Sequence, residues 1–249
     1  MTPEALAELF RTIADAVGAA LRDVEDWGPS GRRDGQYAAD LIADAVVLEA
    51  LRAEGLSILS EESGLEEAGS PVMVIVDPLD GSTNASRGLP WYATSLCAID
   101  AEGPLVALVR NQAVGTTYEA IRGRGASRDG LALESGGSGC REIHEAIVGM
   151  SGLAPRHLGW AQFRAMHASA LDLCAVADGT LDGFVDCSHD AHGVWDYAGA
   201  MLVCREVGIT VVDAFGRELI GRDPEVRRTP LAAATPDLQE FLVASRRSW

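Results

Sequence analysis

Residues 72–84 read Val-Met-Val-Ile-Val-Asp-Pro-Leu-Asp-Gly-Ser-Thr-Asn, and the remainder of the chain can be arranged around them. The five apolar residues Val72–Val76, four of them β-branched, predict a strand that is buried on both faces. Pro78 has a fixed φ and no backbone N–H, so we expect the strand to end before it. Asp77 and Asp80 would then stand on rigid backbone at the end of a buried strand.

A turn and a helix start are predicted directly after these acids. Gly81 permits a sharp turn, and Ser82–Asn84 are residues that cap helices well. Hard cations take carboxylate oxygens as ligands, and the free N–H groups at a helix N-terminus bind phosphate. Asp77-Pro78 alone would indicate only a turn, but the whole string predicts a site that handles a phosphate ester together with Mg²⁺.

Two further motifs strengthen this prediction. Glu61-Glu62-Ser63 follows a short predicted strand, and Trp195-Asp196-Tyr197-Ala198-Gly199-Ala200 lies far downstream. With Asp77–Asn84, these motifs resemble those of the inositol monophosphatase family, over a stretch from about Asp40 to about Gly216. The resemblance implies a magnesium-dependent, lithium-sensitive phosphatase, in a family that also includes fructose-bisphosphatases and phosphoadenosine-phosphate phosphatases. It also implies an α+β fold, arranged as a layered α/β/α/β/α sandwich.

The composition argues against several other classes of protein. The chain has 249 residues, 47% hydrophobic and 23% charged, as in an ordinary globular protein. A net charge of −17 argues against a nucleic acid or an anionic membrane as partner. Five scattered cysteines, without a Cys-x-x-Cys pair, suggest neither a disulfide framework nor a zinc site. With no signal peptide in residues 1–8 and no run of about 18 apolar residues, we expect a cytoplasmic protein.

The chain is expected to form two halves of one compact catalytic unit, residues 1–134 and 140–249, joined at the linker Ser135–Gly139. The first half is predicted to hold the metal-binding motif and an antiparallel meander, because short turns join its strand-like stretches. Its predicted elements are an amphipathic helix over residues 6–21, a helix at Tyr37–Ala53, an acidic turn at Glu66–Gly69, and strands at Leu56–Ser60, Val72–Val76, Tyr92–Ile99, Leu105–Val109 and Thr116–Ile121. The second half is predicted to alternate strands at Ala146–Gly149, Leu181–Cys187, Thr210–Val212 and Leu231–Ala234 with helices at Ala161–Ala177, Val194–Val207 and after a cap at Asp237.

The resemblance also implies a set of metal ligands. The carboxylates of Glu61, Asp77, Asp80 and Asp196, with the backbone carbonyl of Leu79, would bind two or three Mg²⁺ ions. Bound Mg²⁺ lowers the pKa of a water and stabilises the leaving alkoxide, which is what hydrolysis of an anionic ester requires. We expect Mn²⁺ to substitute for Mg²⁺, and Li⁺ or Ca²⁺ to inhibit.

The same resemblance implies catalytic and phosphate-binding roles. The first residue of the Glu61-Glu62 pair matches the family's metal-binding glutamate and is expected to help activate the attacking water. Ser82 and Asp40 would hold that water in line. The N–H groups of Gly81 and Ser82, with the hydroxyl of Thr83, would cradle the phosphate.

The substrate end departs from the family's pattern. His167-Ala168-Ser169 replaces the family's small Gly-Ser/Thr-Ala run, and Asp186 would stand in for a glutamate that contacts a substrate hydroxyl. The segment after Asp186 is longer than in the inositol enzymes and carries His189 and His192, for which a solvated loop is slightly favoured over substrate contact. Arg32-Arg33 is interpreted as surface charge.

We therefore expect a Mg²⁺-dependent phosphomonoesterase that hydrolyses a small sugar or polyol phosphate by metal-activated water attack. Fructose 1,6-bisphosphate, histidinol phosphate and a 3′-phosphonucleotide stay open as substrates. The alternative from another class is a catalytically inactive, phosphate-binding regulatory relative, which would require the loss of a ligand acid. A homodimer is implied by the resemblance alone.

Overall fold

The computed structural model describes residues 1–134 and 136–249, so Ser135 of the predicted linker lies outside the described residues. The helices are α1 (Pro3–Arg22), α2 (Ala38–Ala53), α3 (Ser82–Ser86), α4 (Ser169–Ala177), α5 (Ala198–Glu206) and α6 (Pro236–Arg247). The strands are β1 (Ser57–Ser60), β2 (Gly64–Glu66), β3 (Met73–Asp80), β4 (Ala93–Asp100), β5 (Gly103–Asn111), β6 (Thr117–Ile121), β7 (Ala126–Arg128), β8 (Leu131–Ala132), β9 (Ile147–Ser151), β10 (Gln162–Arg164), β11 (Gly183–Asp186), β12 (Val212–Asp213) and β13 (Pro230–Ala233).

These strands form two sheets. The first has the order β2-β1-β3-β4-β5-β6-β7-β8, and from β3 onward it is an antiparallel meander, which confirms the predicted pairing. The second has the order β10-β9-β11-β13-β12, with β10, β9 and β11 parallel. The strands of the first sheet lie within residues 57–132, and those of the second lie from residue 147 onward.

Three apolar cores hold five layers together. Helices α1 and α2 pack on the outer face of the first sheet through residues such as Phe10 and Val74. Helices α4 and α5 lie between the two sheets, where Leu173 and Val203 are buried, and α6 covers the second sheet through Leu238. The layered α/β/α/β/α sandwich is therefore confirmed.

The central strand β3 does not end at its proline as predicted. It is buried along its whole length, but it continues through Pro78 to Asp80, and its register against β4 shifts between Asp77 and Asp80. A bulge is a place where a proline costs no ladder hydrogen bond. The irregularity lies between Asp77 and Asp80, and repulsion from Asp80 contributes to the raised pKa of Asp77.

Three other predictions at element ends were wrong. The helix predicted over Ala161–Ala177 begins only at Ser169, and its first part is strand β10, which pairs with β9. His167 between them has φ of 55°, a left-handed value that no helix continues through. The last helix is capped by Thr235, whose hydroxyl accepts the Leu238 N–H at 3.4 Å, so Asp237 lies inside the first turn. The predicted helix Val194–Val207 is interrupted at Tyr197, and a 3₁₀ turn precedes α5.

Across residues 1–134 and 136–249, no helix combines the length and the apolar composition needed to span a membrane.

Candidate active site

Three carboxylates from distant parts of the chain meet at one end of the first sheet. One oxygen each of Glu61, Asp77 and Asp196 lies within 4.8 Å of the others. Strands β1 and β3 are parallel neighbours with Ser60 opposite Val76, so the acids that follow these two residues are brought together by the pairing itself. The 3₁₀ turn before α5 supplies Asp196 from the second half of the chain.

Backbone N–H groups hold one oxygen of three of the acids. The pairs are Leu79 N to Asp77 Oδ1 (3.1 Å), Gly193 N to Asp196 Oδ2 (2.7 Å) and Ala170 N to Asp80 Oδ2 (2.8 Å). The second oxygen of Asp77, Oδ2, is buried and has no hydrogen-bond partner among the described residues. A buried carboxylate oxygen left without a partner is destabilising by about 1–3 kcal/mol, so this atom calls for a ligand.

The electrostatics of the cluster agree with that conclusion. Burial, and then repulsion from the neighbouring carboxylates, raise the pKa of Glu61, Asp77 and Asp80 well above the ordinary range. Burial also raises the pKa of Asp196. These acids cannot all ionise together without a compensating cation. Because every donor is a carboxylate oxygen, the residues fit a hard divalent cation rather than a soft metal.

Arg33 lies closer to Glu62 than to Glu61, whose carboxylate is 4.0 Å away, and Glu61 is the glutamate of the cluster. Arg33 forms an ion pair with Glu62 at 2.9 Å, and the Gln36 amide donates to the same carboxylate. Arg33 also donates to the carbonyl oxygen of Glu61 at 3.2 Å. Arg33 is exposed, as predicted, and its guanidinium also orders the turn that carries both glutamates.

A buried aspartate of α2 supports the same turn and was missed by sequence reasoning. Asp44 accepts the hydroxyl of Ser60 at 2.6 Å and the hydroxyl of Ser63. The Ser60 hydroxyl in turn accepts the N–H of Glu62 at 3.2 Å. The available signal was the spacing from Asp40, because residues four apart lie on one face of a helix.

One carboxylate oxygen of Asp40 is hydrogen-bonded, and the other has no hydrogen-bond partner among the described residues. Its Oδ2 accepts the Tyr37 N–H at 2.8 Å, which caps α2, while Oδ1 is buried without a partner among the described residues. Burial raises the pKa of Asp40 to about 7, against the lowering effect of the Tyr37 N–H. Asp40, Ser82, Glu61 and Asp196 line one cavity of about 360 Å³.

The predicted phosphate-binding residues form the turn into α3. Gly81 has φ of 81°, and a Cβ there would lie only 3.0 Å from the Cβ of Ala168 and from the Trp91 carbonyl oxygen, so glycine is required. The Thr83 hydroxyl lies 3.2 Å from the Tyr37 hydroxyl. A second cavity beside this turn is lined by Gly81, Ser82, Thr83, Asn84 and His167.

The carboxylate of Asp186 is hydrogen-bonded to the ring of His192. The carboxylate is fully buried, with Oδ1 accepting the Ser188 N–H at 2.8 Å and Oδ2 at 2.9 Å from His192 Nδ1. The opposite nitrogen, Nε2, is 2.7 Å from the hydroxyl of Ser169. Burial alone would lower the pKa of His192, but the Asp186 hydrogen bond and the nearby carboxylates raise it to about 9. The solvated-loop interpretation is therefore wrong for His192, whereas the side chain of His189 is 69% exposed.

Comparison with known proteins agrees with this architecture. The profile described as the inositol monophosphatase family matches residues 4–249. The chain belongs to that family. It is 32% identical over 202 residues to a protein of Thermococcus kodakarensis named fructose-1,6-bisphosphatase/inositol-1-monophosphatase, covering 78% of this chain and 75% of that relative. It is also 30% identical to the Escherichia coli protein named Nus factor SuhB, covering 88% of this chain and 90% of that relative.

Solved structures share the fold. A protein from Pyrococcus horikoshii, described as similar to inositol-1 monophosphatase, superposes with a TM-score of 0.87 at 24% identity, covering 98% of this chain and 99% of its own. A solved structure described as an inositol monophosphatase-fructose 1,6 bisphosphatase superposes with a TM-score of 0.84 at 23% identity, covering 96% of this chain and 98% of its own. Membership of the family identifies the chain as a phosphomonoesterase with a metal-dependent site.

Proposed function

We propose that this protein is a Mg²⁺-dependent phosphomonoesterase that acts on a small sugar or polyol phosphate. The observation that carries the proposal is the meeting of Glu61, Asp77 and Asp196 within 4.8 Å, beside the turn Gly81–Thr83. A carboxylate cluster next to free N–H groups and a hydroxyl offers one site for cations and another for an anionic ester.

The residues fit Mg²⁺ by their chemistry. Glu61, Asp77, Asp80 and Asp196 would hold two or three ions, and the carbonyl of Leu79 remains a predicted ligand. When bound, Mg²⁺ supplies a water of lowered pKa and charge stabilisation for the leaving oxygen. Mn²⁺ would substitute, and Li⁺ or Ca²⁺ would inhibit.

The remaining residues orient the reactants. Asp40, Glu61 and Ser82 line the same cavity, so Asp40 Oδ1, which has no partner among the described residues, and the Ser82 hydroxyl can hold the attacking water in line. With a pKa of about 7, Asp40 can also keep or release a proton near neutral pH. The N–H groups of Gly81 and Ser82 and the Thr83 hydroxyl would bind the phosphate oxygens, and Tyr37 would orient that hydroxyl.

The test is phosphate release with Mg²⁺ from inositol 1-phosphate, fructose 1,6-bisphosphate, histidinol phosphate and 3′-phosphoadenosine 5′-phosphate. We expect turnover that requires the metal and stops with a chelator. Hydrolysis of none of them, with Mg²⁺ still bound by calorimetry, would favour the inactive phosphate-binding relative. A homodimer remains a prediction, which light scattering on the purified protein would check.

The fructose 1,6-bisphosphatase alternative has one specific support. A relative 32% identical to this chain carries both activities in its name. The preference for sugar and polyol phosphates in this proposal rests on that relative.

A further inference from the structure

Helix α4 begins beside the acids without a capping side chain of its own. Its N-cap is Ala168, which has no side-chain oxygen to accept the free N–H groups of the first turn. The N–H of Ala170 is instead accepted by Asp80 Oδ2 at 2.8 Å, so a carboxylate of strand β3 caps a helix that lies 90 residues away in the sequence. This single hydrogen bond therefore links the start of α4 to the orientation of Asp80.

The residue before this hydrogen bond is held from the second sheet. Ser169, the first residue of α4, is buried, and its hydroxyl lies 2.7 Å from His192 Nε2. The other ring nitrogen, Nδ1, lies 2.9 Å from Asp186 Oδ2. Asp186 is fully buried at the end of strand β11. Two side-chain hydrogen bonds thus connect the second sheet to the start of α4.

The far end of this connection is fixed by further contacts. Asp186 Oδ1 accepts the Ser188 N–H at 2.8 Å, and the Asp186 carbonyl oxygen accepts the Arg246 Nε–H at 2.7 Å. The ring of His192 also makes a T-shaped contact with Phe184, with centroids 6.5 Å apart. Because both ring nitrogens are hydrogen-bonded and the ring is packed, its orientation defines where the Ser169 hydroxyl lies.

Asp80 is sensitive to the position of α4 because the backbone around it is irregular and tightly packed. The register of β3 against β4 shifts between Asp77 and Asp80. At Gly81, the next residue, a Cβ would lie only 3.0 Å from the Cβ of Ala168, so this turn and the start of α4 are in close contact. A displacement of α4 would therefore also move the Asp80 carboxylate. Mg²⁺ requires nearly ideal octahedral coordination, so a displaced ligand lowers its affinity.

We propose that the hydrogen-bonded chain Asp186–His192–Ser169 positions the metal site. The chain fixes the start of α4, and α4 in turn holds the Asp80 carboxylate in the orientation in which it binds Mg²⁺. This inference rests on the proposed function, in which Asp80 is a metal ligand. It gives Asp186, whose two carboxylate oxygens are both hydrogen-bonded within the protein, a positioning role in place of the predicted contact with a substrate hydroxyl.

Ser169→Ala breaks the chain without changing any charge. A change in Mg²⁺ affinity would therefore report the position of Asp80 and not the electrostatics of the acids. Calorimetry on the full chain without substrate should show the Kd for Mg²⁺ rising by about 10–100-fold, the usual effect of removing a residue that orients a metal ligand. In rate assays, the Mg²⁺ concentration that gives half the maximal rate should rise in step with this Kd.

A second pair of variants tests the hydroxyl independently of the space that alanine leaves. Ser169→Thr and Ser169→Val have side chains of the same shape and differ in the hydroxyl. The threonine variant should bind Mg²⁺ at least about tenfold more tightly than the valine variant, because only threonine can hydrogen-bond His192.

Tyr118→Phe is the matched control, because it removes a hydrogen bond at the opposite end of the same helix. The Tyr118 hydroxyl donates to Asp178 Oδ2 at 2.7 Å, and Asp178 is the C-cap residue of α4. This variant should lower the melting temperature but leave the Kd for Mg²⁺ unchanged. A merely structural role of Ser169 would give that same pattern in Ser169→Ala.

The outcomes separate this inference from the proposed function. If the wild type binds Mg²⁺ and hydrolyses a phosphomonoester, but Ser169→Ala binds Mg²⁺ as tightly, the inference is overturned and the function stands. Equal weakening in Tyr118→Phe would also overturn it, because general loosening of α4 would then explain the effect. A wild type that binds Mg²⁺ but hydrolyses no phosphomonoester would refute the phosphatase function alone, and one that binds no Mg²⁺ would refute both.

Discussion

Asp77→Asn should make the protein more stable than the wild type in the absence of metal, and less stable than the wild type when Mg²⁺ is added. Asp77 is buried, its pKa is raised first by burial and then by Glu61, and its Oδ2 has no hydrogen-bond partner among the described residues. A folded-state pKa above the unfolded value means that the group stabilises the fold only at low pH, and that this contribution is lost as pH rises. At pH 8 without metal, the wild type therefore carries a penalty that the neutral amide avoids.

The size of this effect follows from the missing partner. An unsatisfied buried acceptor lowers the free energy of unfolding by about 1–3 kcal/mol. The asparagine amide can also donate to the carboxylates of Glu61 and Asp196. For a chain of this size, the melting temperature of Asp77→Asn should rise by roughly 3–10 °C without metal. With Mg²⁺ at about 100 times its Kd, the wild type should gain about 2.7 kcal/mol, which the variant should not.

Differential scanning calorimetry at pH 8, with EDTA and then with excess Mg²⁺, measures both effects. Asp44→Asn is the control, because this buried aspartate bonds Ser60 and Ser63 and lies outside the cluster. It should destabilise the protein in both conditions. The reasoning is refuted if Asp77→Asn is less stable than the wild type in EDTA, or if Mg²⁺ stabilises both equally.

Four further predictions follow from the same contacts. Asp80→Asn should keep the hydrogen bond from Ala170 and the fold but lower kcat at least about 10³-fold, and near-normal turnover would remove Asp80 from the metal site. Because His192 has a pKa of about 9 in the folded state, its stabilisation of roughly 3 kcal/mol should be present below about pH 6.5 and lost toward pH 9. Chemical unfolding across that range should show a flatter profile for His192→Gln, whereas the exposed His189→Gln should keep the wild-type slope. Gly81→Ala should lower the free energy of unfolding by about 1–3 kcal/mol and raise KM, since the new Cβ would meet Ala168 at 3.0 Å, and an unchanged KM would exclude this turn from phosphate binding. Li⁺ at millimolar levels should inhibit in competition with Mg²⁺ in initial-rate assays, and inhibition that excess Mg²⁺ does not relieve would place Li⁺ elsewhere.

The family could be predicted from the sequence because its motifs are contiguous strings, and the layered fold was implied by that resemblance. Buried strands, sharp turns and helix caps are local features, and Asp77–Thr83 combines all of them within a few residues. The parallel pairing of β1 and β3 then brings Glu61 and Asp77 together without any further information. Local patterns failed where tertiary contacts override them, as in the bulge at Pro78 and in strand β10, which had the apolar spacing of a helix.

The sequence by itself thus determined the acids that form the cluster and the chemistry they share. Only the tertiary structure decided how each is used, because the deciding partners are distant in the chain. Arg33, which is 29 residues away, hydrogen-bonds Glu62, whereas Glu61 lies with Asp77 and Asp196. Asp186 is hydrogen-bonded to His192, whose backbone in turn pairs with that of Arg228. No periodicity or motif encodes such pairings, since they depend on how the loops of each half are folded against one another.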